Sequence, residues 1–333
     1  MSIKFLTSLE SSREFDKTTY FDNMSSYEID IRTKGRCDTP SSIRQLYKLS
    51  VLDWNQCEAT MIYKCMKLVF RLMLYKYPPL GPVLPSLTVG FIKMSDGHSC
   101  DWGWPYTIGS CIVLSEGFLK HALDESNKLK DDMKLVNNST VSKITGKHWN
   151  TWRPHMNGVL DIMTTLCHEV IHILQRHGSK SLDFEKFYRY VWNFRKIDKS
   201  RVVGNYFKTV TNPDGYNFEW IVNIDGKWLL PLLIFDINNQ PEGIICEVYL
   251  MPSGYIQMLP NWTRIKSYLK YKRYFYDIDQ IYHPNEIFAV IMSNWMIRDR
   301  NLADEATPYA PTPDGQSQSW KRESFYTGIS KYL

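Results

Sequence analysis

The segment His168-Glu169-Val170-Ile171-His172 carries residue types that can do metal chemistry. Histidines four residues apart project from the same face of an α-helix about one turn apart, so their imidazoles can hold one metal ion. Glu169 lies next to the first histidine, where a carboxylate can reach a water molecule on the metal without being a ligand itself. The pattern therefore predicts one zinc ion, with Glu169 as the catalytic base.

A structural histidine pair, satisfied by hydrogen bonds, is the alternative for the same residues. Residues 158–176 are apolar almost all round, which predicts a buried helix. Burying polar groups there without partners would be costly, so they need either a metal or hydrogen bonds. We prefer the metal interpretation, because a purely structural pair has no use for the carboxylate of Glu169.

The third zinc ligand must come from elsewhere in the chain, since a catalytic zinc site has three protein ligands and one open position. His177 does not fit, because nine residues past His168 it lies on nearly the opposite side of the helix. Glu286 is preferred, because it lies in the first turn of a separate predicted helix that begins near Pro284. The carboxylates that remain alternatives are Glu242, Glu247 and, less favourably, Glu185.

Two segments together resemble the gluzincins, the thermolysin-like clan of zinc peptidases. In that clan the H-E-x-x-H helix is followed by a second helix with Glu in an E-x-x-A pattern, matched here by Glu286 and Ala289. The resemblance covers residues 168–172 and 285–289. The chain departs from the thermolysin pattern between them, where 114 positions separate His172 from Glu286 and include a predicted hairpin.

The resemblance implies a zincin-like fold and a peptidase that acts on a protein or peptide substrate. It also suggests a downstream donor to the transition-state oxyanion, for which Tyr282 and His283 are candidates. Either could equally be a helix cap or a packing residue. A predicted strand at residues 108–114 corresponds to the substrate-pairing edge strand of the clan, or is simply another strand of the sheet. A non-catalytic structural or binding protein on a degenerate metallopeptidase fold is the alternative function.

Apolar periodicity and turn residues predict an α+β fold with a buried H-E-x-x-H helix, a small mixed sheet and a second ligand-bearing helix. The predicted helices cover residues 53–76, 116–130, 158–176, 182–194 and 285–298. The predicted strands cover residues 87–92, 106–114, 218–224, 227–235 and 244–250. Asp225-Gly226 predicts a two-residue hairpin, which we expect beside the active-site cleft.

The predicted organisation is one catalytic domain at residues 46–300 between two less regular segments. Residues 1–45 are polar and are expected to be irregular. Residues 301–333 are expected to form a loose tail, because three prolines lie among polar residues there.

Composition argues against several partners. The net charge is only +5, and the basic segment at 266–273 is interleaved with tyrosines, so a solvated face with half-buried tyrosines is preferred to a nucleic-acid site. Seven scattered cysteines without a C-x-x-C pair indicate reduced thiols. Since the chain has neither a signal-peptide core nor a bilayer-length apolar run, we expect a cytoplasmic or other intracellular location and no membrane partner.

Overall fold

Helices and strands both contribute to the computed structural model, which describes residues 2–96, 103–128, 157–177, 182–204, 207–212, 220–275 and 282–298, with Ile329 and Lys331. The described α-helices are α1 Ser8–Lys17, α2 Ser26–Thr33, α3 Pro40–Leu49, α4 Gln56–Lys76, α5 Glu116–Lys128, α6 Asn157–His177, α7 Phe184–Val191, α8 Leu269–Phe275 and α9 Pro284–Ser293. The described strands are β1 Ser2–Phe5, β2 Val51–Leu52, β3 Thr88–Met94, β4 Tyr106–Ile108, β5 Cys111–Ser115, β6 Phe194–Lys196, β7 Val202–Val203, β8 Trp220–Ile224, β9 Lys227–Phe235, β10 Pro241–Leu250 and β11 Ile256–Arg264. The predicted α+β class is confirmed.

The chain divides into two compact units, of which the first comprises residues 1–176 and 292–300. Its mixed sheet has the order β1-β3-β5-β4, with β2 paired to β3. β1, β3 and β5 are parallel, whereas β2 and β4 pair antiparallel with their neighbours. One apolar core joins the N-terminal helices to this sheet and includes Phe15, Phe21, Ile43, Tyr47, Ile92 and Val113.

The N-terminal region corrects one prediction, because it is regular rather than irregular. It contains β1, α1 and α2, and α3 begins at Pro40. The helices are only 8–10 residues long, so few apolar positions mark each one. Their start signals are clearer: the side chains of Thr7, Ser25 and Thr39 cap the three helices, and Glu10 completes a capping box with Thr7. These caps mark the starts of the three helices in the sequence.

The strand predicted at residues 106–114 is two antiparallel strands, β4 and β5, joined by a turn at Gly109. Gly109 has φ +54°, a conformation that favours glycine. β5 lies between β3 and β4, and all three residues of β4 are buried. Most of the segment predicted as a substrate-pairing edge strand therefore lies in β5, an interior strand of the sheet. The prediction of an edge strand is wrong for these residues.

The second unit comprises residues 177–291 and 301–333. Its six-stranded sheet has the order β6-β8-β9-β10-β11-β7 and is antiparallel except between β11 and β7. The sequence predicted most of these strands but only one small sheet in the whole chain, so a second sheet is a correction.

The predicted hairpin at Asp225-Gly226 is confirmed by the pairing of β8 with β9. Both turn residues have positive φ, +51° and +80°, as a type I′ turn requires. The predicted residues 218 and 219 lie outside the described residues, as do residues 301–328 of the predicted tail.

Helix α7 ends earlier than predicted, because Asn193 adopts φ +57° and Phe194 begins β6. An aromatic cluster then packs α7 against α9 within the second unit. Phe288 of α9 lies at its centre, with ring centroids 5.3 Å from those of Phe184 and Phe187. This packing positions the helix that carries Glu286.

Replacing Phe288 with Ala is expected to lower the free energy of unfolding by about 3–5 kcal/mol, because it leaves a cavity among aromatic rings. Phe288 is only 2% exposed, whereas Tyr190 on α7 is 63% exposed. Chemical denaturation measures the change, with Tyr190→Ala as the control that stays within about 0.5 kcal/mol of wild type. A loss below about 1 kcal/mol for Phe288→Ala would contradict the packing argument.

The tyrosines interleaved with the basic segment at 266–273 are buried or half-buried. Tyr271 is fully buried, and burial raises the pKa of its hydroxyl. Its ring packs 4.8 Å from that of Phe275, and Tyr274 also contacts Phe275. Lys270 forms an ion pair with Asp225. Tyr268 and Tyr274 are half-buried, as the preferred interpretation expects, whereas Tyr271 is fully buried.

Six described cysteines are free thiols: Cys37, Cys57, Cys65, Cys111, Cys167 and Cys246. Burial raises the pKa values of Cys65, Cys111 and Cys246 to about 12, so these thiols are protonated at neutral pH. Among the helices that the structure describes, none combines the length and the apolar character that a bilayer span requires.

Candidate metal centre

Helix α6 carries the H-E-x-x-H residues, as predicted, over a continuous 21-residue helix. His172 is completely buried and Glu169 is 4% exposed, whereas His168 is partly exposed. Burial also raises the pKa of the neighbouring Cys167, so that this thiol is neutral. The reactive groups of the helix are therefore two imidazoles and one carboxylate in a largely apolar setting.

The two imidazoles face each other through the nitrogens that would bind a metal. His168 Nε2 lies 2.9 Å from His172 Nε2, and the rings are nearly perpendicular, at 83°. Two histidine ligands of a tetrahedral zinc ion have their nitrogens about 3.3 Å apart, given Zn–N bonds of about 2.0–2.1 Å. A small increase in the distance between the two rings would therefore let both nitrogens bind one ion.

Gln175 fixes the ring orientation of His172. The amide oxygen of Gln175 lies 2.8 Å from His172 Nδ1, so it accepts the Nδ1–H hydrogen bond. In a neutral imidazole this places the lone pair on Nε2, the nitrogen that faces His168. Metal-binding histidines typically donate their second N–H to such an acceptor. Gln175 thus holds the His172 ring with Nε2 as its acceptor nitrogen.

Both ends of α6 are held within the first unit. Near its start, Arg298 donates from Nε to Thr164 Oγ1 at 3.2 Å and forms an ion pair with Asp161. Near its end, Arg176 donates to the hydroxyl of Thr107 in β4. These contacts fix α6 on either side of the histidine pair, which limits the reorganisation that metal binding would need.

Glu286 lies in the first turn of α9 and is 3% exposed. Asn212 donates from Nδ2 to Glu286 Oε1 at 2.7 Å, and the same nitrogen lies 3.4 Å from Tyr282 Oη. Asn212 was not identified from the sequence, because it belongs to no spacing pattern and lies 74 positions from Glu286. Its burial, at 4% exposure, is the only local sign of a specific role.

His283 is the N-cap of α9. Its carbonyl accepts the Ile287 N–H at 3.0 Å, and its Nδ1 accepts the Asn285 N–H at 3.1 Å. The cap was one of the three roles proposed for this residue, beside oxyanion donor and packing residue. Because Nδ1 accepts this hydrogen bond, the proton of the neutral ring is on Nε2. Nε2 is then able to donate to the oxyanion, and that role stays a prediction.

The rival carboxylates form ion pairs at the surface. Glu242 contacts Arg264 at 2.9 Å, and Glu247 contacts Lys227 at 2.8 Å. The remaining rival, Glu185, is half exposed and has only longer ion pairs, at 3.8 Å. A carboxylate paired with a cation in solvent is a poor zinc ligand, so these contacts favour Glu286.

Each unit holds part of the predicted set of metal ligands. His168 and His172 lie on α6 in the first unit, and Glu286 is buried in the first turn of α9 in the second unit. Two imidazole nitrogens and one carboxylate oxygen are a donor set that catalytic zinc sites use. The side chains present therefore fit a zinc ion.

No protein-family model matches the chain, and comparisons with curated proteins and with solved structures find no match either.

Proposed function

We propose that this protein is a zinc-dependent hydrolase that cleaves peptide bonds, with His168, His172 and Glu286 as the zinc ligands. The observation that carries the proposal is the pair of facing imidazoles on α6, with His172 Nδ1 held by Gln175 and with Glu169 buried one residue after His168. Three protein ligands leave a fourth position for water or substrate, which distinguishes a catalytic from a structural zinc site.

Zinc in this position would lower the pKa of a bound water molecule toward 7 and polarise the substrate carbonyl. Glu169 is three residues before His172, so the two side chains are neighbours on the helix surface. We assign to Glu169 the role of general base, which takes the proton of the attacking water and returns it to the leaving amine. Its burial strengthens electrostatic interactions with the reacting groups.

Tyr282 and His283 are the proposed donors to the oxyanion of the transition state. The protonated Nε2 of His283 and the hydroxyl of Tyr282 are both suitable donors. The two residues immediately precede α9, and their contacts with Asn285 and Asn212 restrict both side chains. An oxyanion donor is most effective when it is positioned in advance.

Metal analysis of the purified full-length protein tests the proposal. We expect about one zinc per chain, and we expect a chelator to abolish cleavage of unfolded casein or of a peptide library until zinc is restored. Glu286→Gln should weaken zinc binding. The matched control is Glu242→Gln, which removes a partly buried carboxylate that is already in an ion pair and should retain the zinc. Wild-type protein that binds no zinc after reconstitution, or cleavage that resists chelation, would contradict the proposal.

A non-catalytic structural or binding protein is the second candidate function. The observation in its favour is the 2.9 Å contact between the two histidine nitrogens, which can satisfy the pair by a direct hydrogen bond. Bound zinc without hydrolysis of a broad peptide library would favour this candidate.

A further inference from the structure

The contact between Asn212 and Glu286 joins two buried side chains that are distant in the sequence. We infer that Asn212 is a positioning residue that orients the Glu286 carboxylate for zinc, an inference that rests on the proposed function. The donor and acceptor atoms are 2.7 Å apart, which is short for an amide donor and typical of a charged acceptor.

The segment that carries Asn212 is attached to β9 by backbone hydrogen bonds. Val210 donates to the carbonyl of Leu233 at 2.8 Å, and Phe235 donates to the carbonyl of Lys208 at 3.0 Å. Thr209 forms an antiparallel bridge with Ile234 between these two bonds. Residues 208–210 thus extend the sheet of the second unit, and Asn212 follows two residues later. The amide is therefore positioned by the sheet.

A neutral donor suits this position. A buried carboxylate needs hydrogen bonds to offset the loss of water, and an acidic neighbour would repel it. The amide of Asn212 satisfies Glu286 Oε1 without adding charge that would compete with the metal. Hydrogen bonds of this kind to metal ligands tune metal affinity.

The second proton of the same amide points toward Tyr282, because Nδ2 lies within hydrogen-bond distance of both acceptors. The contact with Tyr282 is longer, at 3.4 Å against 2.7 Å, so the interaction with Glu286 is the stronger one. We therefore expect loss of the Asn212 amide to affect the Glu286 carboxylate more than the Tyr282 hydroxyl.

Zinc affinity, measured by competition with a chromophoric chelator on the full-length protein, tests the inference. We expect Asn212→Ala to weaken zinc binding by about 10- to 100-fold. Asn212→Asp, which keeps the size but replaces the donor with an acceptor, should weaken it at least as much. The matched control is Asn238→Ala, which removes an exposed turn amide of the same unit.

A double-mutant cycle separates positioning from general destabilisation. If Asn212 acts through Glu286, then Asn212→Ala should cause no further loss of zinc affinity in a Glu286→Ala background. A persistent loss in that background, or wild-type affinity in both Asn212 variants, would overturn the inference. Thermal melting shows whether each metal-free variant is folded. If Asn212→Ala is not folded, Asn212→Asp replaces it in the cycle. Zinc-free wild type would instead refute the proposed function, which makes the two failures distinguishable.

Discussion

Glu169→Gln is expected to reduce peptide-bond hydrolysis by about 10²- to 10⁴-fold, which is the usual loss when a well-placed general base is removed. The change neutralises the carboxylate but keeps its size, and it removes no metal ligand. Zinc content and the thermal midpoint should therefore stay near those of wild type. The assay is the rate of cleavage of unfolded casein or of a peptide library, with and without a chelator.

Glu185→Gln is the matched control for this prediction, because Glu185 is a half-exposed carboxylate on α7 with only long ion pairs. It should cleave at the wild-type rate. Equal cleavage by wild type and Glu169→Gln would show that the proposed mechanism is wrong. If neither protein cleaves any substrate although zinc is bound, the non-catalytic function gains support.

The double replacement His168→Ala, His172→Ala is expected to reduce bound zinc from about one equivalent per chain to background, because a single carboxylate cannot retain the ion. His172 is fully buried, so its loss also creates a cavity, and the thermal midpoint should fall. Metal analysis after reconstitution with excess zinc and removal of unbound ion measures the result.

His177→Ala is the control for the histidine pair. His177 ends the same helix but is exposed, and it should not affect zinc content. Undiminished zinc in the double variant would place the ion elsewhere in the chain. If the double variant melts far below wild type, Gln175→Ala provides a milder test. It leaves both imidazoles in place but removes the acceptor of the His172 Nδ1–H bond. In that variant zinc affinity should fall by about 10- to 100-fold.

Local patterns predicted much of the fold, because each of those elements is encoded within a short stretch of chain. Apolar residues almost all round gave α6 its predicted extent to within one residue at each end. Asp225-Gly226 predicted the hairpin between β8 and β9, since both residues tolerate positive φ. Where a pattern was weak the prediction failed, as in the short N-terminal helices and in the division of β4 from β5 at Gly109.

The sequence by itself determined that His168, Glu169 and His172 share a buried helix, because helical periodicity alone places them there. Tertiary structure decided the rest of the candidate site. It buried Glu286 and placed the rival carboxylates in ion pairs at the surface. It also brought Asn212 to Glu286 across 74 positions, through hydrogen bonds to β9. Such contacts depend on how distant segments pack, and no local spacing of residues encodes that packing.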